Sequence, residues 1–349
     1  MTPSSARIRL SALRPSHRRS HRQLRLIAAV LASLGVAAGI SGCNPFSQAG
    51  ASSGEPVVKV GVVPGVDNAT LYLAQKRGYF ASAGINVQIV DFTSVASELR
   101  ALSVGQVNVA AGDYGNLFAA QSALQKNAYK ILADGYDAAP GVVEIMTMPN
   151  SPVKTPSDLA NRVIAAPDTN TVSGEPPSAP NSLLIASAAS VLTSFGVNLS
   201  GVTWQNMSQQ QEVSKLIHGQ LHAALLTEPY IYQAQQAGAV ELVDACSGAT
   251  AGIPLSGYFT STSWSRDKTH EVAAFRAGLT QADAQATMPG PVQAVLPRYA
   301  KLSNQEAALI TTGVYPLSTI TASLQRTADL MWGSGMINKQ LNVSNMIAG

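Results

Sequence analysis

Two stretches of the chain share one plan, and this internal repetition constrains the fold more than any other feature. Residues 102–114 and 216–230 each end a helix-like segment at a Gly-Gln pair and then run through a short apolar segment. Each apolar segment leads into a turn that carries a carboxylate and a tyrosine. The repetition predicts two α/β lobes of similar construction whose corresponding turns face each other across a cleft.

The residues around the first copy alternate between strand-like and helix-like patterns. A β-branched run at 57–63, bounded by Pro64-Gly65, predicts a buried strand. In the first lobe we predict further strands at 86–90, 107–111 and 129–133, and helices at 69–77, 95–103 and 116–126. Strands that alternate with helices at this spacing indicate a parallel sheet covered by helices on both faces.

The second lobe is predicted to repeat this order. Its predicted strands are 163–166, 202–204, 221–226 and 241–243, and its predicted helices are 182–195, 210–217 and 230–237. We place one crossing near Ala139-Pro140-Gly141 and the return near Gly252. Lobe one then comprises 57–142 plus 252–349, and lobe two comprises 143–251. The predicted fold class is α/β, with two βαβ lobes, a two-segment hinge and a ligand cleft between the lobes.

Residues 1–42 have the parts of a secretory signal peptide. They contain seven arginines and no acidic residue, and the arginines precede an apolar run at 26–40. A helix of that length spans roughly 22 Å, which is shorter than the ~30 Å hydrocarbon core, so a stable transmembrane helix is the poorer interpretation. The Arg18-Arg19 pair leaves export by the general or the twin-arginine route open.

Ile40-Ser41-Gly42-Cys43 resembles a bacterial lipobox, in which the cysteine becomes the lipidated first residue of the mature chain. An ordinary cleavage site with a nearby cysteine is the alternative. Two acyl chains suffice for stable attachment, so the expected location is extracytoplasmic and lipid-anchored to the outer face of the cell membrane. Residues 43–56 are rich in small residues and are predicted to form the lipidated, flexible tether.

The charge of the remaining chain differs in sign from that of the whole. The full sequence carries a net +3, but the residues after 42 hold 16 basic and 20 acidic side chains. A mildly acidic body argues against a nucleic-acid partner. Apolar residues make up 46% and charged residues 12% of the chain, which is typical of a folded core and argues against disorder.

Five short motifs resemble those of one family. They are Ala74 to Phe80 with Gly84-Ile85, Leu102 with Gly105 to Asn108, Pro156 to Leu159, Leu216 with Gly219 to Ala223, and Glu228-Pro229. Together, over residues 57 to about 250, they resemble the solute-binding proteins for sulfonates, taurine, nitrate and thiamine precursors. The resemblance implies a type II periplasmic-binding fold, a monomer without a cofactor, and permease and ATPase partners of an ABC importer.

The chain departs from this family at several positions. The family has Asp where Asn108 and His222 stand, and Gly-Lys where Asn161-Arg162 stands. The loop 167–180 is longer than usual and rich in proline. These departures leave the ligand contacts of the second lobe open.

The candidate ligand-binding residues lie where predicted strands end, because a βαβ sheet binds ligands beyond the carboxyl ends of its strands. They are Asp67, Asn68, Ser94, Asp113, Tyr114, Thr169, Asn170, Glu228 and Tyr230. Each is also an ordinary turn or packing residue, so a purely structural role is the alternative. We expect Asp113→Ala and Glu228→Ala to weaken binding with the melting temperature nearly unchanged.

The acidic turns favour a neutral or cationic solute, such as a pyrimidine or an amine, over a sulfonate or nitrate. Aromatic residues could stack on a ring of the solute. Besides Tyr114 and Tyr230, the candidates are Tyr72, Trp204 and Tyr258. Simple packing is the alternative for each of them.

Other functions find less support in the sequence. His218 and His222 are four residues apart, but Gly219 between them ends the helix and no third metal ligand is visible, so no metal site is predicted. Cys246 is interpreted as a small buried side chain, with a reactive nucleophile as the alternative. No nucleophile elbow or phosphate loop is present. An enzyme related to thiamine-precursor synthesis and a surface lipoprotein without a ligand remain the alternatives to a binding protein.

Overall fold

The computed structural model of the chain describes residues 54–124, 127–167 and 183–349. The predicted signal peptide 1–42, the predicted lipidation site Cys43, and the candidate ligand residues Thr169 and Asn170 lie outside the described residues.

The strands of the described residues fall into two groups along the chain. They are β1 (Val57–Val62), β2 (Asn86–Asp91), β3 (Val109–Asp113), β4 (Tyr129–Asp137), β5 (Val143–Thr147), β6 (Val163–Pro167), β7 (Thr203–Met207), β8 (Ala224–Thr227), β9 (Val240–Asp244) and β10 (Pro254–Ser261).

Helices connect most of these strands and form the C-terminal part. They are α1 (Ala69–Arg77), α2 (Tyr79–Ser82), α3 (Val95–Ser103), α4 (Tyr114–Ser122), α5 (Leu183–Ser194), α6 (Gln209–Ile217), α7 (Tyr230–Gln236), α8 (Thr262–Asp267), α9 (Thr269–Ala286), α10 (Pro289–Gln293), α11 (Asn304–Leu309) and α12 (Thr321–Gly333).

The strands form two five-stranded sheets of the same design. The first lobe is built on a sheet with the order β2-β1-β3-β10-β4, and the second lobe on a sheet with the order β7-β6-β8-β5-β9. Strand β1 is parallel to β2 and β3, as β6 is parallel to β7 and β8. The sheets therefore repeat one topology, as the sequence predicted, in a type II periplasmic-binding-protein-like fold.

Each sheet also contains one antiparallel strand, so the prediction of purely parallel sheets was wrong. Strand β10 is antiparallel to β3 and β4, and β5 is antiparallel to β8 and β9. Both strands come directly after the chain crosses from one sheet to the other. Because the chain leaves a sheet at the carboxyl end of a strand and no helix returns it, it enters the other sheet in the opposite direction.

The repeat extends further than the Gly-Gln pairs. Helices α3 and α6 each begin after a serine N-cap, Ser94 and Ser208, and each carries a glutamate four residues later, Glu98 and Glu212. Each helix ends before a glycine with positive φ, 74° at Gly105 and 69° at the second copy, a conformation that favours glycine. The next strands, β3 and β8, hold the same place in their sheets.

One predicted turn is absent, and this changes where a candidate residue points. Residues 112–115 were expected to separate strand from helix, but β3 runs through Asp113 and α4 begins at Tyr114. The Asp113 carboxylate caps α4, since its Oδ1 accepts a hydrogen bond of 2.8 Å from the Asn116 backbone N–H. The side chain of Tyr114 consequently belongs to the helix and turns into the core.

Strand β4 reaches Asp137, four residues beyond its predicted end. The residues beyond 133 continue to pair with β10, which the pattern of the strand itself does not show. The motif Pro156–Leu159 forms a single 3-10 turn, which the Asp158 carboxylate caps by accepting from the backbone N–H of Thr155 at 2.8 Å.

Apolar side chains from both lobes form one large buried cluster, and the second lobe has a smaller one of its own. The smaller cluster contains Met207, Leu216 and Ile231 from β7, α6 and α7. Helix α9 covers α1 and α2 of the first lobe, where Phe275 stacks on Phe80 at 5.3 Å between ring centroids. Helix α12 packs on β10 and also contacts α5 of the second lobe. No helix within the described ranges is long and apolar enough to span a bilayer.

Candidate functional site

A cavity of about 920 Å³ lies between the two lobes. The first lobe lines it with residues at or just after the ends of β1, β2 and β3, and the second lobe lines it with residues at or just after the ends of β7 and β8. The starts of β5 and β10 form part of its wall. Because both sheets turn the carboxyl ends of their parallel strands toward one space, the cavity has the position expected of a ligand cleft.

Four candidate residues line this cleft: Asp67, Asp113, Glu228 and Tyr230. The corresponding corners of the two lobes therefore face one shared space, as the internal repetition predicted. Contact of these side chains with a solute stays a prediction.

The Asp113 carboxylate is partly buried at the end of β3. Its Oδ2 accepts a hydrogen bond of 2.6 Å from the Asn116 side-chain amide, in addition to the cap bond from the Asn116 backbone. Burial raises the pKa of Asp113, and the bonds from Asn116 oppose that shift. Asp113 thus stabilises helix α4 and presents a carboxylate to the cleft.

Asp67 stands on the turn after β1. Its Oδ2 accepts a hydrogen bond of 3.3 Å from the Asn68 side-chain amide. Burial raises the pKa of Asp67 to about 6, and the nearby Asp113 charge adds to the shift. The two carboxylates of the first lobe therefore lie close enough for the charge of Asp113 to influence the ionisation of Asp67.

Asn68 and Tyr114 are placed differently from the expectation that they contact the ligand. Asn68 is 2% exposed, and its amide oxygen accepts from the Gly65 backbone N–H at 3.0 Å, so it holds the turn together. Tyr114 is fully buried, and its hydroxyl donates to Asp134 Oδ1 at 2.9 Å. Ser94 caps helix α3 by accepting from the Ser97 backbone N–H at 3.3 Å. None of the three belongs to the cleft lining.

Glu228 connects the second lobe to the C-terminal part of the chain. Its Oε2 accepts from the Tyr232 backbone N–H at 3.1 Å, at the start of helix α7. Its Oε1 accepts from the Thr311 backbone N–H at 3.0 Å, in the segment that bridges to β4 through Val314. Burial raises the pKa of Glu228, and these two bonds oppose the shift. The peptide bond between Glu228 and Pro229 is cis.

The sequence analysis did not single out Glu98. This residue lies in the first turn of α3, is fully buried, and lines the cleft. Its Oε1 accepts a hydrogen bond of 2.9 Å from the Ala111 backbone N–H, whereas its Oε2 has no partner among the residues that the structure describes. Burial raises the pKa of Glu98 well above its usual range. Its spacing from Ala101 and Leu102 places it on the buried face of the helix. That spacing is the feature of the sequence from which its burial could have been predicted.

Amides dominate the wall that the second lobe contributes. Gln209, Gln210 and Gln233 line the cleft from α6 and α7. The Gln209 amide is held by Thr227, since its Oε1 accepts from the Thr227 backbone N–H at 2.7 Å. The first lobe therefore offers mainly carboxylates to the cleft, and the second lobe mainly amides.

The aromatic wall differs from the predicted one. Tyr258 is 2% exposed and belongs to the core, and Trp204 lies on the edge strand β7. Tyr299, which follows α10, lines the cleft and stacks on Tyr72 at 3.6 Å between ring centroids. The Tyr299 hydroxyl donates a hydrogen bond to the Gly65 carbonyl, in the turn after β1. More than two hundred residues separate the two in the sequence, so no local pattern could predict that Tyr299 lines the cleft.

The described residues contain no group of three or more His, Cys, Asp and Glu side chains placed to hold a metal ion. His218 instead makes a 2.6 Å contact from Nδ1 to the Ser214 carbonyl. Cys246 is buried in the second crossing between the lobes, and burial raises the pKa of its thiol to about 12.

Two lobes of matching topology, with a solute-sized cleft at the ends of their strands, define a two-lobed protein of the type II periplasmic-binding class. More specifically, the chain belongs to the NMT1/THI5 like family, whose model matches residues 66–294. No curated protein sequence matches the chain.

Several solved structures share this fold. The periplasmic aliphatic sulphonate binding protein SsuA from Escherichia coli has a TM-score of 0.66 and 18% identity, over 84% of this chain and 97% of that chain. The ligand-binding component of an ABC-type import system from Staphylococcus aureus, with zinc bound, has a TM-score of 0.65 and 16% identity, over 84% and 96%.

The fold also occurs in an enzyme. A mutant of the desulfurization enzyme DszB, in complex with biphenyl-2-sulfinic acid, has a TM-score of 0.65 and 14% identity, over 84% of this chain and 96% of that chain. At such identities these likenesses establish the fold alone.

Proposed function

We propose that the protein is the solute-binding component of an ABC importer. It captures a small polar organic solute, of the sulfonate, taurine, nitrate or thiamine-precursor class, by closure of the two lobes and delivers it to a membrane permease that an ATPase subunit drives. The observation that carries this proposal is the cleft of about 920 Å³, which both lobes line with the carboxyl-terminal ends of equivalent strands.

The volume and the lining fit capture of a small molecule. Small-molecule sites in proteins have volumes of about 300–1,000 Å³ and combine apolar walls with a few placed polar groups. Here carboxylates and amides provide the polar groups, and Phe92, Tyr136 and Tyr299 provide aromatic surface. Hinge closure around a ligand is the usual motion of such two-lobed proteins.

The sequence supports an extracytoplasmic site of action. A signal peptide at 1–42 and a lipidated Cys43 would place a monomer at the outer face of the membrane, with residues 43–56 as a tether. The similar protein from Escherichia coli is periplasmic, and the one from Staphylococcus aureus is part of an ABC-type import system.

The enzyme alternative draws support from the fold that DszB shares with this chain. A thiol nucleophile acts as the thiolate, which requires an accessible group with a lowered pKa. Cys246 is 1% exposed, and burial raises the pKa of its thiol to about 12. The only cysteine of the described residues is therefore unsuited to attack a substrate, which favours binding over catalysis.

Isothermal titration calorimetry of the purified protein tests the proposal. The panel contains ethanesulfonate, taurine, nitrate, a hydroxymethyl aminopyrimidine, and neutral and cationic amines. We expect one saturable site with a Kd in the micromolar range, about −8 kcal/mol. Conversion of a bound compound, followed by mass spectrometry, would favour the enzyme. The absence of both binding and conversion would favour a lipoprotein without a ligand.

A further inference from the structure

The charge of the cleft lining is strongly one-sided. Five carboxylates line it, and Lys301 is the only Lys or Arg among the described lining residues. The carboxylates are Asp67, Asp91, Glu98, Asp113 and Glu228. Residues 168–182, which follow β6, contain two acidic residues and no Lys or Arg, so their composition adds no positive charge. An anion that enters this cleft meets like charges and few cationic partners.

Among the carboxylates of the cleft lining, Glu98 lacks a hydrogen-bond donor from the described part of the chain for one of its oxygens. The residue is fully buried, and its Oε1 is occupied by the Ala111 backbone N–H at 2.9 Å. Glu98 belongs to the cleft lining, and its buried Oε2 has no partner among the described residues. A buried carboxylate oxygen without a partner is costly, so it calls for a hydrogen-bond donor from beyond the described residues, which a bound solute supplies.

The neighbouring carboxylates decide which donor fits. The charges of Asp113 and Asp67 both act on Glu98, and all three carboxylates belong to the wall of the first lobe. Several carboxylates that share one site cannot all ionise unless a positive charge offsets their repulsion. A neutral hydroxyl or amide supplies a donor but leaves this repulsion in place, whereas an ammonium or amidinium group supplies both the donors and the charge.

We propose that the cleft selects a small organic cation, with a primary ammonium or amidinium group that donates to Glu98 Oε2 and lies against Asp67 and Asp113. This inference rests on the proposed solute-binding function and assigns the charge of the solute. The cation is organic, because the described residues offer no cluster of three ligands for a metal ion. Tyr299 presents an aromatic ring at the same cleft, where it attracts a cation further.

Binding of a cation changes the protonation of the cleft in a defined direction. Burial raises the pKa of Glu98 well above its usual range and that of Asp67 to about 6, so in the empty cleft these groups keep their protons to a higher pH than ordinary carboxyl groups. A bound cation favours the ionised carboxylates and therefore releases protons, whereas an anion favours the protonated forms and releases none. The other charged or titratable groups that line the cleft are Asp91, Asp113, Glu228, Tyr136, Tyr230, Tyr299 and Lys301.

Calorimetry with charge-matched probes tests this assignment. Benzylammonium, benzamidinium and phenylmethanesulfonate share a ring and differ in charge, and each is titrated at pH 6.5 in two buffers with different ionisation enthalpies. We expect the cations to bind more tightly than the sulfonate and to release protons on binding. Glu98→Gln keeps the acceptor for the Ala111 N–H, and it should weaken cation binding at least about tenfold and remove most of the proton release.

Two further variants keep the test interpretable. Asp67→Asn changes a half-buried turn residue and replaces Glu98→Gln if the latter does not fold, as judged by circular dichroism. Asp267→Asn changes an exposed carboxylate in α8, outside the cleft, and should leave affinity and proton release as in the wild type.

The possible failures are distinguishable. Tighter binding of the sulfonate, or cation binding that Glu98→Gln leaves unchanged, overturns the charge assignment and leaves the solute-binding function standing. If no probe binds and the wider solute panel is also silent, both the assignment and the function fall.

Discussion

Asp113 combines a structural and an electrostatic role in one side chain. It accepts two hydrogen bonds from Asn116 at the start of α4 and presents the remaining surface of its carboxylate to the cleft. Aspartate and asparagine are about equally good helix N-caps, so the cap and the charge can be separated by substitution. Because of this cap, removal of the side chain should cost more stability than the sequence alone led us to expect.

The double role of Asp113 makes a prediction about stability. Asp113→Ala removes the N-cap of α4, which costs about 1 kcal/mol and lowers the melting temperature by about 2–4 °C. Asp113→Asn keeps the cap and should melt within about 1 °C of the wild type. Thermal unfolding followed by circular dichroism measures both variants. Equal losses in the two variants would mean that the cap is not what Asp113 contributes.

Helices α3 and α6 are equivalent elements whose glutamates have different surroundings. Glu98 accepts one backbone hydrogen bond and lines the cleft, whereas Glu212 is fully buried, lies outside the cleft lining, and has no partner for either carboxylate oxygen among the described residues. Burial raises the pKa of Glu212 to about 9. Burial without hydrogen bonds from the described residues therefore destabilises the folded protein at Glu212. At Glu98 the hydrogen bond from the Ala111 backbone offsets part of the same cost.

The raised pKa of Glu212 predicts how stability depends on pH. Its pKa in the folded protein lies above that of an unfolded chain, so the unfolded state loses this proton first. The contribution of Glu212 to stability is therefore greatest below about pH 4.5 and falls as the pH rises toward about 9. In the wild type this contribution lowers the free energy of unfolding by up to about 1.4 kcal/mol for each pH unit within that range. Glu212→Gln removes this pH-dependent loss.

Urea unfolding at pH 5, 7 and 9 measures this effect. Glu212→Gln should be more stable than the wild type at pH 9, and the difference should shrink toward pH 5. Glu241→Gln changes an exposed glutamate in β9 and serves as the matched control. Parallel stability profiles for the wild type and Glu212→Gln would contradict the assignment.

Local sequence patterns predicted the bounds of helices well, but they did not predict how distant elements contact each other. The helix at 69–77 and the helix at 95–103 have the predicted bounds, because a glycine closes the first and a serine cap opens the second. The antiparallel strands were missed because strand direction depends on where the chain crosses between sheets, which no local pattern reports. Glu98 and Tyr299 were missed because a buried glutamate resembles a solvated one in sequence and a distant tyrosine has no local signal.

At the scale of the whole molecule, the second lobe touches the rest of the chain at two places in the cleft wall. Glu228 of the second lobe accepts from the Thr311 backbone N–H. At α4, a Cβ added to Gly115 would come within 2.9 Å of the Leu183 backbone nitrogen of the second lobe, so this glycine permits the close approach. Two chain segments, 138–142 and 245–253, connect the sheets and are the places where a hinge can act.

The central claim is that both lobes contribute to one solute site, and affinity measured after changes on each side tests it most directly. Isothermal titration of the tightest solute from the panel compares the wild type with Asp67→Asn from the first lobe, Gln233→Ala from the second lobe, and Arg266→Ala from the exposed surface of α8. We predict one solute per chain, a loss of affinity of about tenfold in each of the two cleft variants, and an unchanged Kd for Arg266→Ala. An unchanged Kd for both cleft variants, with the solute still bound, would contradict the account.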